Sequence, residues 1–113
     1  MKRKNSTISL IGLVSEMRQV LVAVEHIWNS YSKEAVITAG TEAFDGNDFI
    51  HSVGSLHPFG KALDFRINYF KDSNDKIDRL LINIIASKLR AELGNDYDVI
   101  CHSTHIHIEY DPK

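Results

Sequence analysis

The chain has 113 residues, 43% of them hydrophobic and 25% charged, which indicates one globular domain with a modest core. Its formal net charge of −2 gives no electrostatic reason to expect a nucleic acid or an anionic membrane surface as partner. The single cysteine, Cys101, excludes an internal disulfide, so packing or a bound metal must stabilise the fold.

The N-terminus is basic, and residues 1–9 are predicted to form a flexible tail. The apolar stretch that starts at residue 8 is interrupted by Ser9 and Gly12 and ended by Glu16, so it is a poor signal peptide and too short to span a membrane. We therefore expect a protein that is made in the cytoplasm without an encoded export route and without membrane insertion.

The next segment predicts a first amphipathic helix, with Ser15 as a candidate cap. Its apolar residues at helical spacing are Leu13, Met17, Val20, Leu21, Val24, Ile27, Trp28 and Tyr31. The β-branched run EAVITAG then predicts a short strand closed by Gly40, and TEAFDGNDFIHSVGS predicts a long loop. A loop of this length in a small domain is usually functional.

From Lys61 the sequence alternates and predicts a half-buried strand, with Asp64 and Arg66 on the face opposite Leu63 and Phe65. A second helix is predicted in SNDKIDRLLINIIASKLRAELG, from a cap at Ser73 or Asn74 to Gly94. Its predicted inward residues are Ile77, Leu80, Leu81, Ile84, Ile85 and Leu89.

The last two predicted strands, YDVICH and THIHIEY, are close enough in sequence to pair as an antiparallel hairpin. The elements together predict an α+β fold in which a small antiparallel sheet packs on two helices. The chain is therefore expected to be one domain, residues 1–113, whose sheet exposes one face.

Two predicted strands carry polar side chains that can bind a metal. Asp64 lies on one strand, and His105, His107 and Glu109 share one face of the other. If these strands are neighbours, Asp64, His107 and the turn residue His57 can converge. Two imidazoles and one carboxylate are a zinc ligand set that leaves a position open for water.

Each part of this pattern has a simpler explanation when it is taken alone. A His-X-His pair on an exposed strand is more often solvated surface than a ligand set, and a lone aspartate is more often a surface charge. Their co-occurrence favours the metal. His26 and His102 lack such a pattern and are predicted to be surface or locally hydrogen-bonded residues, and Cys101 is predicted to be a small apolar filler.

The zinc pattern also carries a family resemblance. Ser55, His57, Gly60, Ala62 and Asp64 match the pattern S-x-H-x-x-G-x-A-x-D of the M15 zinc peptidases. This family comprises D-alanyl-D-alanine carboxypeptidases and L-alanyl-D-glutamate endopeptidases and includes many phage endolysins. The segment HIHIEY resembles the closing H-x-H or H-x-E motif of that family and of the wider group that includes lysostaphin-type peptidases and the hedgehog signalling domain.

The resemblance implies roles for individual residues. His57, Asp64 and His107 would be the ligands of a Zn²⁺ ion. His105 would lie beside the metal as a catalytic residue that polarises the scissile carbonyl or transfers protons. Glu109, the second candidate catalytic residue, would orient a ligand imidazole or Arg66.

Three further residues are candidates for substrate binding. Ser55 resembles the motif serine that supports the turn of the site. Arg66 would bind a carboxylate of the stem peptide, although a solvated strand arginine is nearly as good an explanation. His51 is either part of a substrate-binding loop or an ordinary loop residue.

One position departs from the family pattern. Many M15 enzymes have a catalytic glutamate or aspartate three residues before the last histidine ligand, where this chain has Thr104. A threonine cannot act as a general base at neutral pH, so His105 would have to take that role, or activity is low, or the protein is a metal-binding derivative.

The resemblance implies a zinc metallopeptidase that cleaves an amide bond of the peptidoglycan stem peptide. A phage endolysin released from the host cytoplasm to the cell wall, or a virion-associated enzyme in contact with phage tail proteins, would fit the expected lack of an export signal. The alternative is a non-catalytic metal-binding structural or tail module with the same fold. A fortuitous motif on a plain globular domain is the third explanation.

Overall fold

The computed structural model describes residues 1–41 and 60–113, which form one mixed β-sheet and two helices. In chain order the elements are β1 (Lys2–Arg3), α1 (Met17–Ser30), β2 (Val36–Ala39), β3 (Ala62–Arg66), α2 (Arg79–Leu93), β4 (Tyr97–Cys101) and β5 (His105–Tyr110). The predicted α+β class and the predicted order of the main elements are confirmed. Most of the predicted loop after Gly40 lies outside the described residues.

The sheet has the strand order β1-β2-β3-β5-β4. The pairs β2–β3, β3–β5 and β5–β4 are antiparallel, and the last of these is the predicted hairpin. The prediction of a purely antiparallel sheet is wrong, because β1 adds to β2 in the parallel direction.

The N-terminal residues belong to the fold and do not match the flexible tail predicted for residues 1–9. The backbone N–H groups of Lys2 and Lys4 donate to the carbonyls of Ala35 and Ile37, at 3.0 and 2.8 Å. Ile8 is 5% exposed and belongs to the hydrophobic core. The basic composition of this segment suggested a solvated tail, but its backbone groups extend the sheet and its first buried apolar side chain fixes it.

Both helices pack on one face of the sheet, where the core contains Trp28 of α1, Leu89 of α2, and Phe65 and Ile106 of the central strands. Because strand side chains alternate, the neighbouring polar residues lie on the opposite, polar face, away from the helices. The prediction of a half-buried β3 is wrong, because Ala62 and Asp64 on the polar face are only 0% and 7% exposed.

Helix α2 begins later than its sequence predicts. Its N-cap is Asp78, whose side chain accepts a hydrogen bond from the N–H of Leu81 at 3.0 Å. The residues before it form a turn around Asp72, which accepts from the N–H groups of Asn74 and Lys76. Two of the predicted inward side chains, Leu80 and Ile84, are exposed, so the prediction is wrong for them. The predicted end of the helix at Gly94 is confirmed.

A short N-terminal segment, residues 9–14, contacts both Thr41 and Gly60, the residues on either side of the undescribed stretch. The buried Thr41 donates its backbone N–H to the carbonyl of Ser9 and its hydroxyl to that of Ile11, both at 2.7 Å. The carbonyl of Gly60 accepts from the N–H of Val14 at 3.0 Å. One segment thus fixes both positions relative to the sheet.

The close approach at Gly60 leads to a stability prediction. A Cβ at this position would overlap the backbone carbonyl of Gly12, and the φ angle of +72° already disfavours a side chain. We expect Gly60→Ala to lower the free energy of unfolding by at least about 2 kcal/mol more than Gly94→Ala, measured by chemical denaturation. Gly94 is the matched control, since its φ is +86° but a Cβ there would meet nothing within 4 Å. Equal losses in the two variants would show that the contact with Gly12 is unimportant.

Candidate metal centre

The candidate metal-binding side chains lie on two adjacent strands, as the alternating patterns predicted. In the pairing of β3 with β5, Asp64 lies opposite His107, and Arg66 lies opposite His105. Directly opposed side chains of an antiparallel pair have Cβ atoms about 5 Å apart. The register therefore brings the carboxylate and both imidazoles together on the polar face, while Ile106 and Ile108 point into the core.

His107 is held by two carboxylates. Its Nδ1 lies 2.8 Å from Oδ1 of Asp64, and its Nε2 lies 2.8 Å from Oε1 of Glu109. The Asp64 side chain is 10% exposed and the His107 side chain 13%. Both ring nitrogens of a largely buried imidazole thus face acceptors, so the orientation of the ring is fixed.

These contacts determine the basicity of His107 in the metal-free protein. Burial lowers the pKa of the imidazole, but the hydrogen bonds to Asp64 and Glu109 raise it, and the net effect is a pKa above the usual value. A proton therefore competes with a metal for this ring to a higher pH than it would for an exposed histidine.

His105 is more accessible than His107 and lies at the edge of the same cluster. Its Nε2 is 3.5 Å from Oδ2 of Asp64, and its side chain is 28% exposed. Its Nδ1 lies 3.0 Å from the hydroxyl of Thr104, the residue that departs from the family pattern. The threonine hydroxyl therefore restricts the orientation of the His105 imidazole.

His102 is exposed and locally hydrogen-bonded, as predicted, and it also contacts the histidine cluster, which was not predicted. Its ring stacks on that of His105 with centroids 4.7 Å apart, and meets the ring of His107 edge-on at 6.2 Å. The sequence signal was the short, three-residue connection between β4 and β5, because the residues that close a tight hairpin lie side by side. The N–H of His102 donates to the carbonyl of His105 at 2.9 Å, which confirms that closure.

The hairpin turn is fixed from outside by Arg79, the first residue of α2. Its guanidinium donates to the backbone carbonyls of His102 and Ser103. The second helix thereby sets the position of the turn that precedes His105, a contact that no local sequence pattern predicts.

The histidine group has donor atoms of the types that zinc takes, but in residues 1–41 and 60–113 only Asp98, Glu109 and Asp111 bring three ligand atoms within 4.8 Å of one another. Imidazole nitrogen and carboxylate oxygen are ligands that this ion takes, and a ligating histidine usually directs its second ring nitrogen to a carboxylate. His107 has that arrangement, with Asp64 at Nδ1 and Glu109 at Nε2. The structure thus brings together Asp64, His105, His107 and Glu109 of the predicted site. The predicted ligand His57 and the predicted substrate-binding residues Ser55 and His51 lie outside the described residues.

A second group of carboxylates lies beside Glu109. Single oxygens of Asp98, Glu109 and Asp111 come within 4.8 Å of one another. The amino group of Lys113 neutralises part of this cluster, at 3.1 Å from Asp98 and 3.5 Å from Asp111. The cluster lacks an imidazole, so its chemistry fits zinc less well than that of the histidine group.

Comparison of the chain with models of known protein families, with curated proteins and with solved structures found no match. Within residues 1–41 and 60–113, neither helix has the length and apolar character needed to cross a membrane.

The two carboxylate groups lead to a prediction about zinc affinity. We expect Glu109→Gln to weaken zinc binding about 10- to 100-fold, because an amide is a poorer acceptor for the Nε2–H of a ligating His107. The affinity is measured by competition with a chromogenic chelator. Asp98→Asn is the matched control, since Asp98 lies opposite Glu109 on β4 but its carboxylate pairs with Lys113 and not with a histidine. A larger loss in Asp98→Asn would place the metal in the acidic cluster instead.

The raised pKa of His107 predicts how stability depends on pH. In chelator, protonated His107 stabilises the folded state fully below the unfolded pKa of about 6.5, and this contribution is lost as the pH rises through the raised folded pKa. We expect the Tm of the chelated wild type to fall relative to that of chelated His107→Gln as the pH rises above about 6.5. His26→Gln, at a side chain that is 74% exposed, is the control and should keep the wild-type profile. Parallel profiles for wild type and His107→Gln would contradict the assignment.

Proposed function

We propose that this chain is a zinc-dependent peptidoglycan peptidase that hydrolyses an amide bond of the bacterial stem peptide. The observation that carries the proposal is the Asp64–His107 pair on adjacent strands, with Glu109 at the second nitrogen of His107 and His105 beside it. The resemblance of the SLHPFGKALD and HIHIEY segments to the M15 zinc peptidases supports it.

In this proposal His57, Asp64 and His107 hold the zinc. A zinc ion at such a site polarises the scissile carbonyl and lowers the pKa of a bound water. Glu109 keeps the His107 ring in the ligating orientation, because it accepts from Nε2 and leaves Nδ1 directed at Asp64.

His105 is the proposed general acid–base residue. Its ring is accessible, and its Nε2 is directed towards the Asp64 carboxylate while Thr104 fixes Nδ1. In the reaction the imidazole would accept a proton from the attacking water and deliver it to the leaving amine. His102, stacked on His105, would limit rotation of the ring.

The proposed biological setting is phage lysis. An endolysin that leaves the host cytoplasm to act in the periplasm or cell wall, or an enzyme carried by a virion tail next to tail proteins, would use this chemistry. The substrate is the peptidoglycan stem peptide. Ser55, Arg66 and His51 are the proposed substrate contacts.

The second candidate function is a non-catalytic metal-binding structural or tail module. Thr104 favours it, because its hydroxyl stands where many of the family's enzymes have a carboxylic acid and is engaged with His105. This candidate requires the zinc ligands but no acid–base residue.

The test compares purified zinc-loaded protein with the same protein in chelator on peptidoglycan of both lysine and diaminopimelate types. We expect zinc-dependent release of new amino groups or D-alanine, identified by mass spectrometry. His105→Gln should keep its zinc and lose about 10²- to 10⁴-fold in rate, because it removes the proton-transfer group. Asp64→Ala should lose both zinc and activity.

His26→Gln is the control for the loss of an exposed imidazole. If the zinc-loaded wild type releases nothing from any wall type, the peptidase is excluded and the structural module is favoured. If His105→Gln keeps full activity, the mechanism is wrong although the activity stands.

A further inference from the structure

A cleft of about 280 Å³ lies on the polar face of the sheet, next to His105. It spans strands β2, β3 and β5 and the end of β1. The residues that line it and bear on its chemistry are Lys4, Thr38, Arg66, Asn68, Thr104 and His105. The cleft therefore shares His105 and its neighbour Thr104 with the candidate metal centre.

The cleft is cationic. Lys4 and Arg66 contribute two positive charges, and in the described part of the chain neither side chain forms an ion pair or a side-chain hydrogen bond. The described lining residues include no carboxylate, and Thr38 and Asn68 add neutral hydrogen-bond donors. Two unpaired cations beside neutral donors form a receptor for an anion, and Arg66 offers the planar group that binds a carboxylate through two parallel hydrogen bonds.

The sheet register explains why Lys4 reaches this cleft. Lys2 lies opposite Val36 in the parallel β1–β2 pair, and the N–H of Lys4 donates to the carbonyl of Ile37. Two residues beyond Lys2, Lys4 therefore returns to the same face of the sheet, beside Thr38. The segment expected to be a flexible tail thus contributes a charge to the cleft.

The position of Arg66 sets the distance from the anion to the chemistry. Arg66 lies directly opposite His105 in the β3–β5 pair, with Cβ atoms about 5 Å apart. If the guanidinium holds a substrate carboxylate, a bond about one residue away along the substrate chain therefore lies within reach of the His105 imidazole.

We propose that Lys4 and Arg66 bind a substrate carboxylate adjacent to the scissile bond, so that β1 helps to select the substrate. This inference rests on the proposed peptidase function. The stem peptide offers two such groups: the C-terminal carboxylate of the terminal D-alanine and the free α-carboxylate of the γ-linked D-glutamate.

The test measures binding and hydrolysis separately. The binding probes are N-acylated lysyl-D-alanyl-D-alanine and its C-terminal amide, and a stem tetrapeptide with D-isoglutamate and its D-isoglutamine counterpart. Their dissociation constants for the zinc-loaded protein are measured by calorimetry, and KM and kcat are measured with those that are cleaved. Amidation of the carboxylate that is recognised should weaken binding about tenfold or more. The acid and amide pair that shows this difference identifies which of the two stem-peptide carboxylates is bound.

The variants assign this effect to the cleft. Arg66→Gln should weaken binding of the responsive acid about tenfold and bring its affinity close to that of the amide, and Lys4→Gln should weaken it about threefold because Lys4 is exposed. Lys2→Gln is the matched control, with the same charge change two residues away, and should not alter binding. The Tm of each variant checks that it folds.

The outcomes separate the two proposals. Hydrolysis with equal preference for acid and amide, or with a preference that Arg66→Gln and Lys4→Gln leave unchanged, overturns the carboxylate site and leaves the peptidase standing. Binding that depends on the carboxylate and on Arg66, without hydrolysis of any probe or wall, supports the site and overturns the peptidase. Binding of no probe overturns the carboxylate site.

Discussion

The pairing of Asp64 with His107 across β3 and β5 is the interaction on which the candidate site depends. The Asp64 side chain is only 10% exposed, so its carboxylate needs strong compensation for lost hydration, and His107, which also contacts Glu109, supplies that compensation. The same register that pairs these residues puts Arg66 beside His105. A shift of one residue would turn all of these side chains into the core, so the apolar residues between them protect the register.

The most reliable predictions were those of elements in which apolar and polar residues alternate with a clear period. The alternation in β3 and β5 identified both strands, their faces and the polar cluster, because the core takes alternate residues from each. Helix α2 was predicted in the right place but from the wrong start, since the Asp72 turn uses residues that also suit a helix. Leu80 and Ile84 were predicted to point inward because they are hydrophobic. Hydrophobicity alone does not reveal that only part of the apolar surface of α2 packs against the core.

The unpredicted parts of the site arise from contacts between distant segments. His102 joins the imidazole cluster through hairpin closure, and Arg79 fixes that turn from another element. Lys4 reaches the cleft only because β1 is parallel to β2. None of these contacts has a local periodic pattern that a sequence analysis could detect. The basic N-terminus was predicted to be a flexible tail because its composition was the only information available.

The strand β1 has a further consequence for the solution behaviour of the chain. It occupies one edge of the sheet, and it is short and flanked by positive charge, two features that discourage another molecule from adding a strand there. Next to it lies β2, whose sequence VITA is apolar and β-branched. Removal of residues 1–4 would leave the backbone groups on that side of β2 without their β1 partners, and we expect such a truncated chain to aggregate more readily.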